Sequence, residues 1–128
     1  MVSLAYLDTS AAMKLVVSEA ESEALVEHLM SHDRLASSWL LHTELYCAAG
    51  RHPSFVKTSI IGEVLDAVHL VDLTRGDMIS AGSHAPLRSH DAIHLSVAMR
   101  LAVDEILTYD QELSSAARAV GLAVSAPS

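Results

Sequence analysis

Apolar and polar residues follow each other along this chain in two rhythms, short runs and helical stripes. Ser3–Leu7 is an apolar run too short for a helix and reads as a buried strand, stopped by Asp8-Thr9-Ser10, a natural helix N-cap cluster. Ala11–Val17 then reads as helical. Ser18 and Glu21 have capping-box spacing and predict a second helix to about His32. Leu25, Leu29 and Val26, Met30 are the i,i+4 pairs expected on its buried side, with Glu19, Glu21, Glu23 and Glu27 forming a solvated start that complements the helix dipole. Leu35–Ser37 is a weak strand. Ser38 is expected to cap a helix from Trp39 to Ala49 closed by Gly50, and Pro53 to start another carrying Val56, Ile60, Ile61, Val64 and Val68.

The second half repeats the alternation. His69–Leu73 reads as a strand, Arg75–Gly82 as a short helix, and Ser83-His84-Ala85-Pro86 as a break. Ser89 is expected to cap a strong helix to about Ala102. Ile106–Tyr109 reads as a strand, Asp110-Gln111 opens a last helix ended by Gly121, and Leu122–Val124 predicts an edge strand. Short strands alternating with helices specify an α/β fold, a parallel-sheet α/β/α sandwich with helices on both faces. No repeat or linker interrupts the pattern, so residues 1–128 are expected to form one domain.

Composition supports a well-filled core: 51% of residues are hydrophobic and mean hydropathy is +0.33. No apolar run reaches the ~20 residues of a membrane span, and the first residues lack a signal-peptide pattern, so a cytoplasmic protein without membrane contact is expected. Cys47, the sole cysteine, sits among apolar neighbours and is expected to be a buried, inert thiol. Net charge is −8, with 16 acids against 8 lysines and arginines. That balance argues against a direct electrostatic grip on phosphates. A nucleic-acid substrate would need bound cations, or a few local arginines, as a bridge.

Several acids stand where such cations could bind. In open parallel sheets ligands lie beyond the carboxyl ends of strands, and Asp8 and Asp110 follow two predicted strands directly. Glu44 and Asp91 lie in otherwise apolar helical segments. Carboxylates in such surroundings are costly to desolvate, and at an effective dielectric of 20 each like-charge pair about 4 Å apart costs on the order of 4 kcal/mol. A hard divalent cation offsets that cost, and oxygen-only ligands suit Mg²⁺ or Mn²⁺. Taken singly, the acids also have plain structural duties: Asp8 and Asp110 as N-caps, Asp91 as a first-turn complement to the helix dipole. Only Glu44 has no capping role.

Four segments carry a resemblance. Tyr6-Leu7-Asp8-Thr9-Ser10, Thr43-Glu44-Leu45, Arg88-Ser89-His90-Asp91-Ala92-Ile93-His94-Leu95 and Thr108-Tyr109-Asp110-Gln111-Glu112-Leu113 occur in this order across nearly the whole chain. Together the chain resembles PIN-domain proteins, specifically VapC-type toxins, and the third segment is the most specific of the four. The resemblance implies that Asp8, Glu44, Asp91 and Asp110 form an acidic quartet holding one or two Mg²⁺ or Mn²⁺ ions. It further implies endoribonuclease activity on an RNA substrate, homodimerisation and inhibition by a small antitoxin protein. Thr9, Ser10 and Thr108 are then candidates to orient carboxylates, and Arg88 and Lys14 to contact phosphate.

Two other readings compete. His90 and His94 share a helix face at i,i+4 and could serve a zinc hydrolase, although no third ligand follows them and the remaining histidines show no ligand-like pattern. Alternatively, the chain is a nonenzymatic module whose acidic surface binds a basic partner.

Overall fold

The structure, a computed structural model, describes residues 2–128. The elements run β1 (Leu4–Leu7), α1 (Thr9–Val16), α2 (Ser22–Leu29), β2 (Arg34–Ser38), α3 (Trp39–Arg51), α4 (Thr58–Asp66), β3 (His69–Val71), α5 (Arg75–Ala81), α6 (Ser89–Leu101), β4 (Glu105–Leu107), α7 (Gln111–Ala119) and β5 (Val124–Ser125). The five strands form one sheet in the order β3-β2-β1-β4-β5, and each neighbouring pair is parallel. This is the parallel α/β sandwich the alternation specifies.

Side chains of the central strand β1 show the two covered faces. Ala5 and Leu7 pack with Ala11, Leu25 and Leu29 of α1 and α2, while Tyr6 between them packs with Leu95 and Ala98 of α6 and Leu113 of α7. A further cluster joins α1, α3 and α4 through Ala12, Leu41, Leu45 and Ile61. The paired register Leu7↔Leu107 brings the carboxyl ends of β1 and β4 side by side, so Asp8 emerges beside Thr108. The strand order turns around at this point: β1 is followed in the sheet by β2 on one side and β4 on the other.

Several local expectations are corrected. Ser18 and Glu21 form no capping box: α2 starts at Ser22, whose hydroxyl accepts the Glu19 N–H (2.9 Å) and donates to the Lys14 carbonyl (2.6 Å). The carboxylates of Glu19 and Glu21 instead hold the Lys14 ammonium, at 2.8 and 3.1 Å. Val26 and Met30 are exposed, because the two-turn α2 rests on the sheet through Leu25 and Leu29 alone. Gly50 does not close α3. It has no left-handed φ, and the helix continues to Arg51. Pro53 lies in a turn in which the N–H groups of Phe55 and Val56 return to the His52 carbonyl, and α4 begins only at Thr58. Arg88, not Ser89, occupies the cap position of α6. Gly121 ends α7 as expected, with φ +89°. Cys47 is exposed on α3 rather than buried.

Candidate active site

Asp8 is the first residue beyond β1 and caps α1. Its Oδ1 accepts the Ala11 N–H (2.9 Å) and the Ser10 hydroxyl (2.7 Å), and its Oδ2 accepts the Thr108 hydroxyl. The Tyr109 N–H donates to Ser10 Oγ, stitching the turn after β4 to the turn after β1, and the Asp110 N–H donates to Thr108 Oγ1 within the turn after β4. Asp8 is therefore both a helix cap and a carboxylate at the strand end. Burial pushes its carboxyl above the ordinary value, against the pull of those hydrogen bonds.

Glu44 points from α3 toward the same region. Its Oε1 accepts the Thr9 hydroxyl (2.6 Å) and lies 2.8 Å from His94 Nε2. A carboxylate only accepts, so this nitrogen carries the proton, and Nδ1 shares a hydrogen bond with the Tyr6 hydroxyl at 2.7 Å. Burial raises the Tyr6 pKa, which keeps its hydroxyl protonated. Burial alone would raise Glu44 too, but the hydrogen bond and charge of His94, with the Thr9 hydroxyl, outweigh it and hold Glu44 below the ordinary value.

Asp91 lies in the first turn of α6, almost fully buried, and its Oδ2 has no hydrogen-bond partner. Asp110 caps α7 through its Oδ1, which accepts the Leu113 N–H at 2.8 Å. The exposed Arg88 places Nη2 3.6 Å from Oδ2 of both Asp91 and Asp110. Burial raises the Asp91 carboxyl, and the charge of Asp110 adds to the rise while His90 and Arg88 oppose it.

The structure places the expected residues in two pairs. Asp91 and Asp110 share Arg88, and Glu44 reaches the neighbour of Asp8 through the Thr9 hydroxyl. Thr9, Ser10 and Thr108 all donate to carboxylates of this group. Lys14 stands apart, held by Glu19 and Glu21 and lying 5.0 Å from the ring centre of Tyr109. The zinc arrangement is overturned: both nitrogens of His94 are engaged, by Tyr6 and Glu44, and His90 is half-exposed with Nε2 3.6 Å from Asp91 Oδ1. His94 is instead the residue that orients Glu44. Tyr6, its other partner, had no signal in the sequence beyond its place in the first apolar run.

This carboxylate-lined strand end on an α/β sandwich is the site of a nuclease-type fold, and a PIN domain matches residues 5–119. The chain belongs to the PIN domain family and is similar to its VapC-type members. It is 38% identical to Ribonuclease VapC46 of Mycobacterium tuberculosis (strain ATCC 25618 / H37Rv) over 96% of this chain and 97% of the relative. It is 33% identical to Ribonuclease VapC47 of M. tuberculosis (strain CDC 1551 / Oshkosh) over 95% and 96%. Among solved structures, the fold resembles VapBC2 from Rickettsia felis bound to a DNA fragment from its promoter, with a TM-score of 0.75 and 14% identity over 95% of this chain and 97% of that one. It also resembles M. tuberculosis VapC20, described as a Sarcin-Ricin loop cleaving toxin, with a TM-score of 0.72 and 15% identity over 88% and 94%.

Proposed function

We propose that this chain is the toxin of a toxin–antitoxin pair, an endoribonuclease that hydrolyses RNA phosphodiesters with Mg²⁺ or Mn²⁺ held by Asp8, Glu44, Asp91 and Asp110. The chain is a VapC-type ribonuclease, as its relatives are named. The observation that carries the metal reading is the Asp91 carboxylate: buried, raised in pKa, and with one oxygen that receives no hydrogen bond and has only the exposed Arg88, at 3.6 Å, to offset the second acid beside it. An oxygen-only donor set at a point of excess negative charge fits a hard divalent cation. Bound there, Mg²⁺ or Mn²⁺ would lower the pKa of a coordinated water and offset charge developing on the scissile phosphate.

The chain's own residues do the rest. Ser10, Thr108 and the Ala11 N–H fix both oxygens of Asp8, and His94 with Thr9 fixes Glu44 in its ionised form. Arg88, exposed at the rim, is the local cation available to an RNA phosphate on a chain of net charge −8. An antitoxin protein is the partner, by analogy with the neighbouring toxin–antitoxin structures. Homodimerisation, a single domain and a cytoplasmic location complete the reading, and no helix among the described residues is long and apolar enough to cross a membrane.

The test is RNA cleavage by the purified chain with Mg²⁺, Mn²⁺, Ca²⁺ or excess EDTA, with analysis of product ends. Mg²⁺ and Mn²⁺ should support turnover and Ca²⁺, with its looser geometry, little. Products should carry 5′-phosphate and 3′-hydroxyl ends. Full activity in EDTA, or 2′,3′-cyclic phosphate products, would contradict the mechanism.

A further inference from the structure

A second cluster of ligand-bearing side chains lies away from the acidic site. His28 sits in the last turn of α2. His32 follows one turn later in the connection to β2, its N–H bonded to the Leu29 carbonyl at 3.1 Å. Glu105 is the first residue of β4. Oε1 of Glu105 meets Nε2 of both histidines, at 2.7 Å for His32, and the two imidazoles are tilted with centroids 5.8 Å apart. Among the described residues, these are the three whose ligand atoms all lie within 4.8 Å of one another. The i,i+4 spacing of the histidines carries no signal of its own in the sequence, because Glu105, 73 positions beyond His32, gives no local sign of joining them.

From this geometry we propose that His28, His32 and Glu105 form a binding site for a divalent transition-metal ion of the zinc class, which clamps the end of α2 to the start of β4. Two imidazole nitrogens and one carboxylate oxygen are the donor set of an open zinc site, with a further position left for water. Imidazole ligands select Zn²⁺ and its neighbours over Mg²⁺ and Ca²⁺. The cluster is reachable: the His28 side chain is 33% exposed, while His32 and Glu105 are 11% and 13% exposed. The remaining carboxylate oxygen accepts the Ser125 hydroxyl of β5 at 2.7 Å, the outer hydrogen bond that fixes a metal-binding carboxylate.

The location defines the role. Glu105 begins the strand whose far end leads to Thr108, and three residues of strand span about 10 Å, so this site lies at the amino end of the strands, opposite the end from which Asp8 emerges. No carboxylate of the quartet takes part. The ion would join α2, β4 and β5, tightening the packing of Leu25 and Leu29 on Leu107. Its binding does not depend on the ribonuclease reading.

The test is Zn²⁺ titration of the EDTA-treated, full-length chain in millimolar Mg²⁺, read by calorimetry and thermal unfolding, with Co²⁺ absorption reporting imidazole coordination. Three further proteins are compared: Asp8→Asn/Asp91→Asn, His28→Gln/His32→Gln and Ser125→Ala. One zinc site is expected that survives in Asp8→Asn/Asp91→Asn and raises its Tm. The double histidine variant should weaken zinc binding by at least about tenfold, and Ser125→Ala should weaken it measurably, since even outer-sphere changes cost about 10–100-fold in metal affinity. RNA cleavage in Mg²⁺ should persist in the histidine variant. Absence of a zinc-dependent Tm rise in the unaltered chain, or unchanged affinity in the histidine variant, overturns the proposal. Should that variant not fold, zinc-induced shifts of the His28 and His32 ring resonances in the unaltered chain decide: their presence supports the site and their absence overturns it.

Discussion

Nε2 of His94 lies 2.8 Å from Oε1 of Glu44, and the opposite nitrogen of the same ring lies 2.7 Å from the Tyr6 hydroxyl. A buried histidine thus transmits the position of the central strand β1 to a carboxylate on α3. The ring's orientation follows from satisfying two partners at once, and Glu44 is held in place by the same constraint.

Replacing His94 with Gln should therefore act through Glu44 rather than on RNA directly. The metal concentration for half-maximal cleavage is expected to rise about 10–100-fold, the usual cost of losing a supporting hydrogen bond, while the KM for RNA changes little. Stability should fall by about 1–3 kcal/mol as buried Tyr6 and Glu44 lose a shared partner. Unchanged metal dependence would show that His94 is a core residue only.

Asp8→Asn and Asp91→Asn should each reduce cleavage by at least about a hundredfold, the usual scale for losing a group at the reacting centre. Both folds should survive: in Asp8→Asn the amide keeps an oxygen for the Ala11 N–H and the Ser10 hydroxyl. Both carboxyls have folded-state pKa values raised above the ordinary value, so their ionised forms weaken the fold at neutral pH and the penalty fades as pH falls through the raised value. The metal-free variants should accordingly melt above the metal-free parent at neutral pH. Retention of more than about a tenth of the activity in both variants would remove these acids from the site.

Asp77 offers the opposite sign. Burial alone would raise its pKa, but the Arg100 guanidinium, at 2.8 and 2.9 Å, and the Thr74 capping box outweigh it and hold the carboxyl below its ordinary value. A depressed folded value means that the contribution to stability is complete above the unfolded pKa and is lost as acid protonates the group. Asp77→Asn should cost about 2 kcal/mol in urea unfolding at about pH 7. The gap between parent and variant should narrow at about pH 3. A gap of equal size at both pH values would mean that the ion pair contributes nothing.

Arg88 shows that a guanidinium can reach Asp91 and Asp110 together, at 3.6 Å from each. An antitoxin arginine or lysine at the same place would replace a cation's charge. Saturating Mn²⁺ should then weaken antitoxin binding, and added salt should slow association. If affinity withstands both Mn²⁺ and removal of the antitoxin's basic residues, inhibition is steric occlusion by apolar helix contacts.

What the sequence disclosed and what it hid divide along local and distant contacts. The alternation of runs and stripes located the strands, although β4 stops at Leu107 and β5 is shifted to Val124–Ser125, and Asp8 and Asp110 stood out because they follow two of the apolar runs. Thr9, Ser10 and Thr108 were legible as candidates to orient carboxylates only through the resemblance, since local capping explains hydroxyls at a helix start equally well. The role of His94 was not legible: its partners are 50 and 88 residues away, and nothing near it distinguishes an orienting ring from a packed one. Val26 and Met30 misled because helical period says which residues share a face, not how wide a stripe a two-turn helix buries. Cys47 misled for a related reason. Apolar neighbours in sequence lie around the whole circumference of α3, and the thiol falls on the side that no element covers.

The sheet ends in β3 on one side and β5 on the other, strands of three and two residues. An invading chain would find only a couple of ladder positions at either border, too few for a peptide to gain hold by backbone pairing. Inhibitors of this protein must therefore be recognised through side chains, on helix surfaces and at the carboxylate-lined mouth. The same brevity guards the chain against stacking with its own copies when it accumulates.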